Sequence, residues 1–447
     1  MSNPGEGDLT PIDGLSQLAG YFEAGCKPAA RFRIGTEHEK FGFRHDTLAP
    51  PPYEPGGIRA MLEGIGADGW TPILDKGQPI GLTRGGASVS LEPAGQFELS
   101  GGLCQTLHET KAELDEHLAE VRKVAEPLGL GFAPLGFHPL ATRDEMPWMP
   151  KGRYGIMRAY MPKVGTRGLD MMTRTCTVQV NLDFASEADM VRKLRVSLAL
   201  QSFATALFAN SPFYEGKPNG ALSNRALVWT DTDNARSGIP AVVFEDGFGF
   251  ERFADFALDV PMYFVYRDGH FIDTAGRSFR DFMAGKLAGL EGQRPTMGDF
   301  ADHLTTLFTD VRLKRFLEMR GADAGSPAMM TAFSAFWVGL LYDDAALTAA
   351  EELVRGLSAA DLMVTRAAVP TQGLDAPWRK GKLRDLLTPL LTIVEDGLAA
   401  RGQGEGIYLE PLREIAAGAP TQAEYWLARY NGAWAGDVRP IFAEAAI

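Results

Sequence analysis

The sequence predicts an α+β fold built around an antiparallel sheet, and three observations carry that prediction. Short segments of alternating polarity recur between residues 31 and 320, separated by turn signals but without regular strand–helix alternation. From about Asp281 the chain turns mostly helical, apart from one short strand. Two apolar stretches, 196–208 and 329–342, fall below the roughly 18 residues of a membrane span and read as buried helices.

In chain order, residues 1–30 read as a short helical lead-in. Residues 31–44 (RFRIGTEHEKFGFR) alternate like a strand, and a proline-rich loop then enters a helix over 58–65. Two short strands, VSLE and QFEL, flank the turn Pro93-Ala94-Gly95. Leu107, Leu114 and Leu118 give 106–126 a helical spacing. Residues 147–172, rich in Arg, Met, Tyr and Gly, read as a loop over a site. TCTVQVNLDF (175–184) alternates as a strand, and 186–209 reads as a helix. Residues 221–250 are loop-rich, and strands are expected over 261–267 and 315–320. The whole chain, 1–447, reads as one catalytic domain, with 285–447 mostly helical and packed on the sheet.

Of 447 residues, 45% are hydrophobic and 23% charged, an ordinary globular balance. The net charge of −13 argues against nucleic acid as a partner, since phosphate backbones need a basic face. Three cysteines, Cys26, Cys104 and Cys176, are too few and too odd for a disulfide framework. They read as passive thiols. The polar start MSNPGEGDLT lacks the basic and apolar regions of a signal peptide, so a cytoplasmic protein without membrane association is expected.

Several motifs fail. GIGADG (64–69) matches GxGxxG but follows a helical stretch, so it reads as a helix-ending turn. Walker A, HExxH and GxSxG are absent from the sequence. The carboxylates are more informative. Glu37 and Glu39 sit at i and i+2 on one strand face, their Cα atoms roughly 6–7 Å apart. Like charges so placed repel unless a cation or Arg intervenes. His38 points the other way and reads as a packed histidine. Glu92 and Glu98 flank the Pro-Ala-Gly turn among apolar and small residues, and Glu318 lies between Leu317 and Met319 with Arg320 on its face. Five glutamates on apolar strands either remain separate surface carboxylates or converge on one sheet face. Convergence would suit Mg²⁺, which takes hard oxygen ligands and bridges to phosphates.

IGTEHEKFGF, LTRGGASVSLEPAGQFELSGG, MRAYMPKVGTRGLDMMTRTCTVQVNLDF, LFANSPFYEGKPNG, WTDTDNARSG and ALDVPMYFVYR occur in that order. Together they resemble plant-type glutamate–cysteine ligase over about residues 31–440. The resemblance implies a carboxylate–amine ligase fold similar to glutamine synthetase, a curved antiparallel sheet forming a funnel. It implies ATP-dependent ligation of the L-glutamate γ-carboxylate to the L-cysteine amine through γ-glutamyl phosphate, in a monomer or homodimer. Two or three Mg²⁺ ions would be held by Glu37, Glu39, Glu92 and Glu98, with Glu318 on a second metal and Glu39 also counted as catalytic. Gln179 and Asn181 would face the nucleotide–metal region, and Arg320 the transferring phosphate. Arg225, ahead of Arg236, would grip the substrate carboxylate. Tyr160, Met161 and Tyr266 would line the cysteine pocket. A related ligase with another amine acceptor, a guanidino-kinase-like phosphotransferase and an inactive nucleotide-binding relative remain as alternatives.

Overall fold

The computed structural model describes residues 7–447. The first six, where the polar N-terminus was read, lie outside the described residues. A nine-stranded sheet organises the rest. Its strands are β1 (Ile34–Arg44), β2 (Thr71–Asp75), β3 (Gln78–Arg84), β4 (Ala87–Leu91), β5 (Phe97–Ser100), β6 (Leu130–Ala133), β7 (Thr177–Leu182), β8 (Val311–Leu313) and β9 (Leu317–Asp323). The order is β8-β9-β7-β1-β5-β4-β3-β2, with β6 pairing the far half of β1. Every pairing within this sheet is antiparallel. The expected α+β class and antiparallel sheet are therefore found.

The alternation in β1 and β7 sorts two chemistries onto two faces. Val178, Val180 and Leu182 join the main apolar core, whereas Thr177 and Gln179 line a pocket on the other side. Both faces are covered, so nearly every residue of β1 and β7 is buried. The core side is closed by the helices Glu187–Leu207 and Pro327–Leu341. The second starts where Ser326 accepts the amide of Met329 and Pro327 takes a position that needs no donor. It is apolar all round and buried from Met329 to Leu341, as expected of a core helix. No helix among the described residues is long and apolar enough to cross a membrane.

Three differences from the sequence reading have local causes. Residues within 147–172 are helical, not a loop: Gly152–Tyr160 and Gly168–Arg174 form helices. Tyr154 and Met157 recur at helical spacing and are buried, but two glycines and two arginines mask that period. The strand near 315–320 runs instead from Leu317 to Asp323, and its partner β8 was not expected, because three residues carry no readable alternation. A bulge separates Met319 from Ala322, leaving Arg320 and Gly321 together opposite Gln179.

The Pro327–Leu341 and Leu387–Ala400 helices approach at paired glycines. A Cβ on Gly397 would lie 2.0 Å from the Gly339 carbonyl oxygen. Neither backbone can yield without separating the helices. Gly397→Ala should therefore destabilise the protein by about 1–3 kcal/mol in urea unfolding. Unchanged stability would contradict this close approach.

Candidate active site

The polar sheet face opens into a cavity of about 130 Å³ with three unlike walls. Glu37 and Glu39 from β1, Glu92 just beyond β4 and Glu98 from β5 make the acidic wall. Arg225, Arg312 and Arg320 stand on the other side, with Gln179 and Thr177 on the floor. Tyr154, Met157, Met171, Met172, Trp229, Phe264 and Phe308 supply most of the apolar cover.

Strand register brings the acids together. Glu39 pairs directly with Glu98 across β1 and β5, and Glu98 with Ser90 across β4. Ser100 and Ser90 hydroxyls donate to Glu98 at 2.8 and 3.1 Å. The Thr177 amide donates to Glu39 at 2.9 Å. Asn181 Nδ2 donates to Glu37 at 3.0 Å. Burial, and then the charges of Glu92 and Glu98, push the Glu39 carboxyl well above its ordinary range. Burial and Glu98 push Glu92 up to about 7. Lys151 and Arg153, the latter also in the cavity lining, counter part of this repulsion. Among the described residues no three acid, His or Cys side chains converge closely enough to hold an ion alone. The donor set nevertheless fits Mg²⁺, which takes one or two carboxylates and completes its octahedron with water and substrate oxygens.

The cationic wall is built on Glu318, which is fully buried. Arg312 Nε and Nη2 reach its two oxygens at 3.0 and 2.6 Å, and Lys314 Nζ lies 3.1 Å away. Arg320 Nη1 also donates to Glu318, and to Gln179 Oε1 at 2.6 Å. Burial opposes ionisation, but Arg312, Lys314 and Arg320 hold this carboxyl well below the usual range. The expectation that Glu318 holds a metal is corrected: three cations occupy it, and it does not line the cavity. The Nη1 of Arg312 is spent on the carbonyls of Thr305 (2.7 Å) and Leu307 (3.3 Å). Arg320 keeps Nε and Nη2 without a hydrogen-bond partner among the described residues. Arg225 gives Nη2 to the Arg320 carbonyl at 2.7 Å.

Other expected residues fall outside the cavity lining. Asn181 orients Glu37 from beside the cavity. Arg236 is a buried staple: it pairs with Asp233 at 2.6 Å, donates to the carbonyls of Thr306 and Pro261, and stacks on Tyr263. It does not line the cavity, which corrects its reading as a substrate contact. Tyr160 meets Tyr263 edge-on, Met161 is fully buried in the roof's own core, and Tyr266 packs on Phe271. The lining positions are instead Met157 and Tyr154, about one and two helical turns earlier, and Phe264, two residues earlier on its strand. Reading that helix as a loop gave it no inward face. Gln96 was also missed. Its carbonyl accepts the Ala94 amide at 2.9 Å, and its amide reaches the carbonyls of Met172 and Thr175. It thereby ties the Pro-Ala-Gly turn to the roof, and no sequence period signals it. His38 does face away, edge-on to His117 at 5.5 Å between ring centres, and burial lowers both imidazoles well below their ordinary range.

The profile of glutamate-cysteine ligase family 2 (GCS2) matches residues 33–444. The chloroplastic glutamate–cysteine ligase of Arabidopsis thaliana is 53% identical over 428 residues, covering 96% of this chain and 82% of that one. The chloroplastic enzyme of Nicotiana tabacum is 51% identical over 446 residues, covering 99% and 85%. In fold, the chain is similar to a crystal structure of glutamate–cysteine ligase from Francisella tularensis in complex with AMP. The TM-score is 0.53 at 13% identity, over 92% of this chain and 88% of that one. The cytoplasmic location expected from the N-terminus does not stand, because these curated relatives are chloroplastic.

The three thiols are free. Burial raises Cys176 well above the ordinary thiol range, raises Cys104 to about 11, and raises Cys26. Few thiolates then exist near neutral pH to start exchange. Activity under mild oxidant should match activity under excess reductant. A reversible several-fold loss, abolished by Cys26→Ser or Cys104→Ser, would contradict this.

Proposed function

The chain belongs to glutamate–cysteine ligase family 2, and we propose that its cavity joins L-glutamate to L-cysteine with ATP by the division of labour described below. The reaction gives γ-glutamylcysteine, ADP and phosphate, the first step of glutathione biosynthesis. One juxtaposition carries the assignment of roles: four carboxylates, two of them driven toward their neutral forms, face an arginine with unspent donors across a floor that includes Gln179.

Glu37, Glu39, Glu92 and Glu98 are the residues that hold Mg²⁺. The ion, when bound, neutralises charge between the anionic nucleophile and the anionic phosphate. Its charge would also remove the penalty that drives Glu39 and Glu92 toward their neutral forms. Arg225 grips a substrate carboxylate. Arg320 presents Nε and Nη2 to the phosphoryl group, while Glu318 and Gln179 fix its other nitrogen. The γ-carboxylate oxygen of glutamate attacks the γ-phosphorus and ADP leaves. The cysteine amine then attacks the acyl carbon, and the carbon–oxygen bond breaks to release phosphate. The apolar roof keeps water from the acyl phosphate between these steps. Tyr154 secures that roof by donating to the Leu91 carbonyl at 2.6 Å. No protein nucleophile is needed, in keeping with the inert Cys176.

ADP release should require L-glutamate and rise strongly with L-cysteine across a panel of amines. Preference for ammonia or for a guanidine such as creatine would move the chain to another acceptor or to phosphotransfer. Arg320→Lys keeps the charge but loses the planar fork. It should lower kcat by roughly 100-fold, the scale of a lost transition-state donor. An effect confined to KM for glutamate would reassign Arg320 to substrate binding.

A further inference from the structure

Asp323, the last residue of β9, is buried to 1% exposure and does not line the cavity. One of its oxygens accepts the Asn210 amide at 2.8 Å and the Ser211 hydroxyl at 2.6 Å. The other accepts the Ser223 hydroxyl at 2.8 Å. Each of these serines has a second task directed at Arg225. Ser211 Oγ accepts the Arg225 backbone amide at 3.3 Å. Ser223 starts the short Asn224–Val228 helix, its Oγ accepting the Ala226 amide at 3.0 Å. The guanidinium of Arg225 meanwhile donates to the Arg320 carbonyl, on the same strand as Asp323.

Arg225 is thus held at both ends by β9, through its side chain at residue 320 and through its backbone by way of Asp323. We propose that Asp323 is a positioning residue that sets Arg225 for its grip on the substrate carboxylate. An ionised carboxylate suits the task because it only accepts, and three donors converge on it. An amide in its place turns one acceptor into a donor facing donors already committed. The serine hydroxyls would then turn away, and the first turn carrying Arg225 would loosen. The close quarters make this specific: a Cβ on Gly136 would lie 2.3 Å from the Asp323 carboxyl carbon, so the carboxylate has no room to shift.

The inference rests on the substrate role proposed for Arg225, and the experiment separates the two. Steady-state constants for L-glutamate are measured for Asp323→Asn, Arg225→Lys and the double variant, with folding checked by circular dichroism. Asp323→Asn should raise KM for glutamate at least about fivefold with a smaller change in kcat. In the Arg225→Lys background the same change should add little, because both act through one contact. Fully additive effects would show that Asp323 does not work through Arg225 and would overturn the inference. A normal glutamate KM in Arg225→Lys would instead overturn the substrate role itself. Should Asp323→Asn fail to fold, Ser211→Ala removes one arm alone. It should raise the glutamate KM in the parent but not in the Arg225→Lys background, and an unchanged KM in the parent would refute the proposal.

Discussion

The site depends on one buried carboxylate. Glu318 is fully buried, and Arg312, Lys314 and Arg320 surround it. Taking these charges from water is expensive, and removing one member of such a buried set costs about 3–5 kcal/mol. The arrangement does more than neutralise charge. Arg312 is saturated by Glu318 and two carbonyls, so it serves as a rigid strut. Arg320 is only half engaged, and the bulge beside it places it opposite Gln179 with donors to spare. One anion thereby distinguishes a structural arginine from a working one.

Across the floor the imbalance has the opposite sign. Glu39, Glu92 and Glu98 crowd one another in a buried place, and two of them are driven toward protonation. Stability alone would favour apolar residues there. A sheet that keeps four carboxylates on one face, opposite a pinned arginine, stores an electrostatic field ready for a cation–phosphate complex. Preorganisation of this kind requires stiff supports, which the core supplies. The antiparallel ladder fixes Glu39 against Glu98, and two buried helices back the strands that carry Gln179 and Arg320.

Much of this was legible in the sequence, and the limits have physical causes. The period of two placed Glu37, Glu39 and Gln179 on one face and His38 on the other, as found. The Pro-Ala-Gly turn located Glu92 and Glu98. Arg320 beside Glu318 was legible from the period of two, but Arg312 was not, because it reaches Glu318 only through the pairing of β8 with β9. Without that pairing, Glu318 looked like a spare ligand when it is a charge partner. The roof failed for a different reason. Glycines and charges hid the helix Gly152–Tyr160, so its inward residues could not be told from Tyr160 and Met161. Arg236 and Arg225 are both buried arginines in a loop-rich stretch, and only their partners separate staple from grip.

The central claim is that this face activates a carboxylate by phosphorylation before the amine attacks. It is tested most directly with L-glutamate carrying ¹⁸O in its γ-carboxylate, ATP and L-cysteine, followed by mass analysis of the phosphate and the peptide. Attack of the carboxylate on phosphorus, then of the amine on carbon, transfers one labelled oxygen to inorganic phosphate in each turnover. Phosphate without label, with both labelled oxygens retained until the amide forms by another route, would contradict the account.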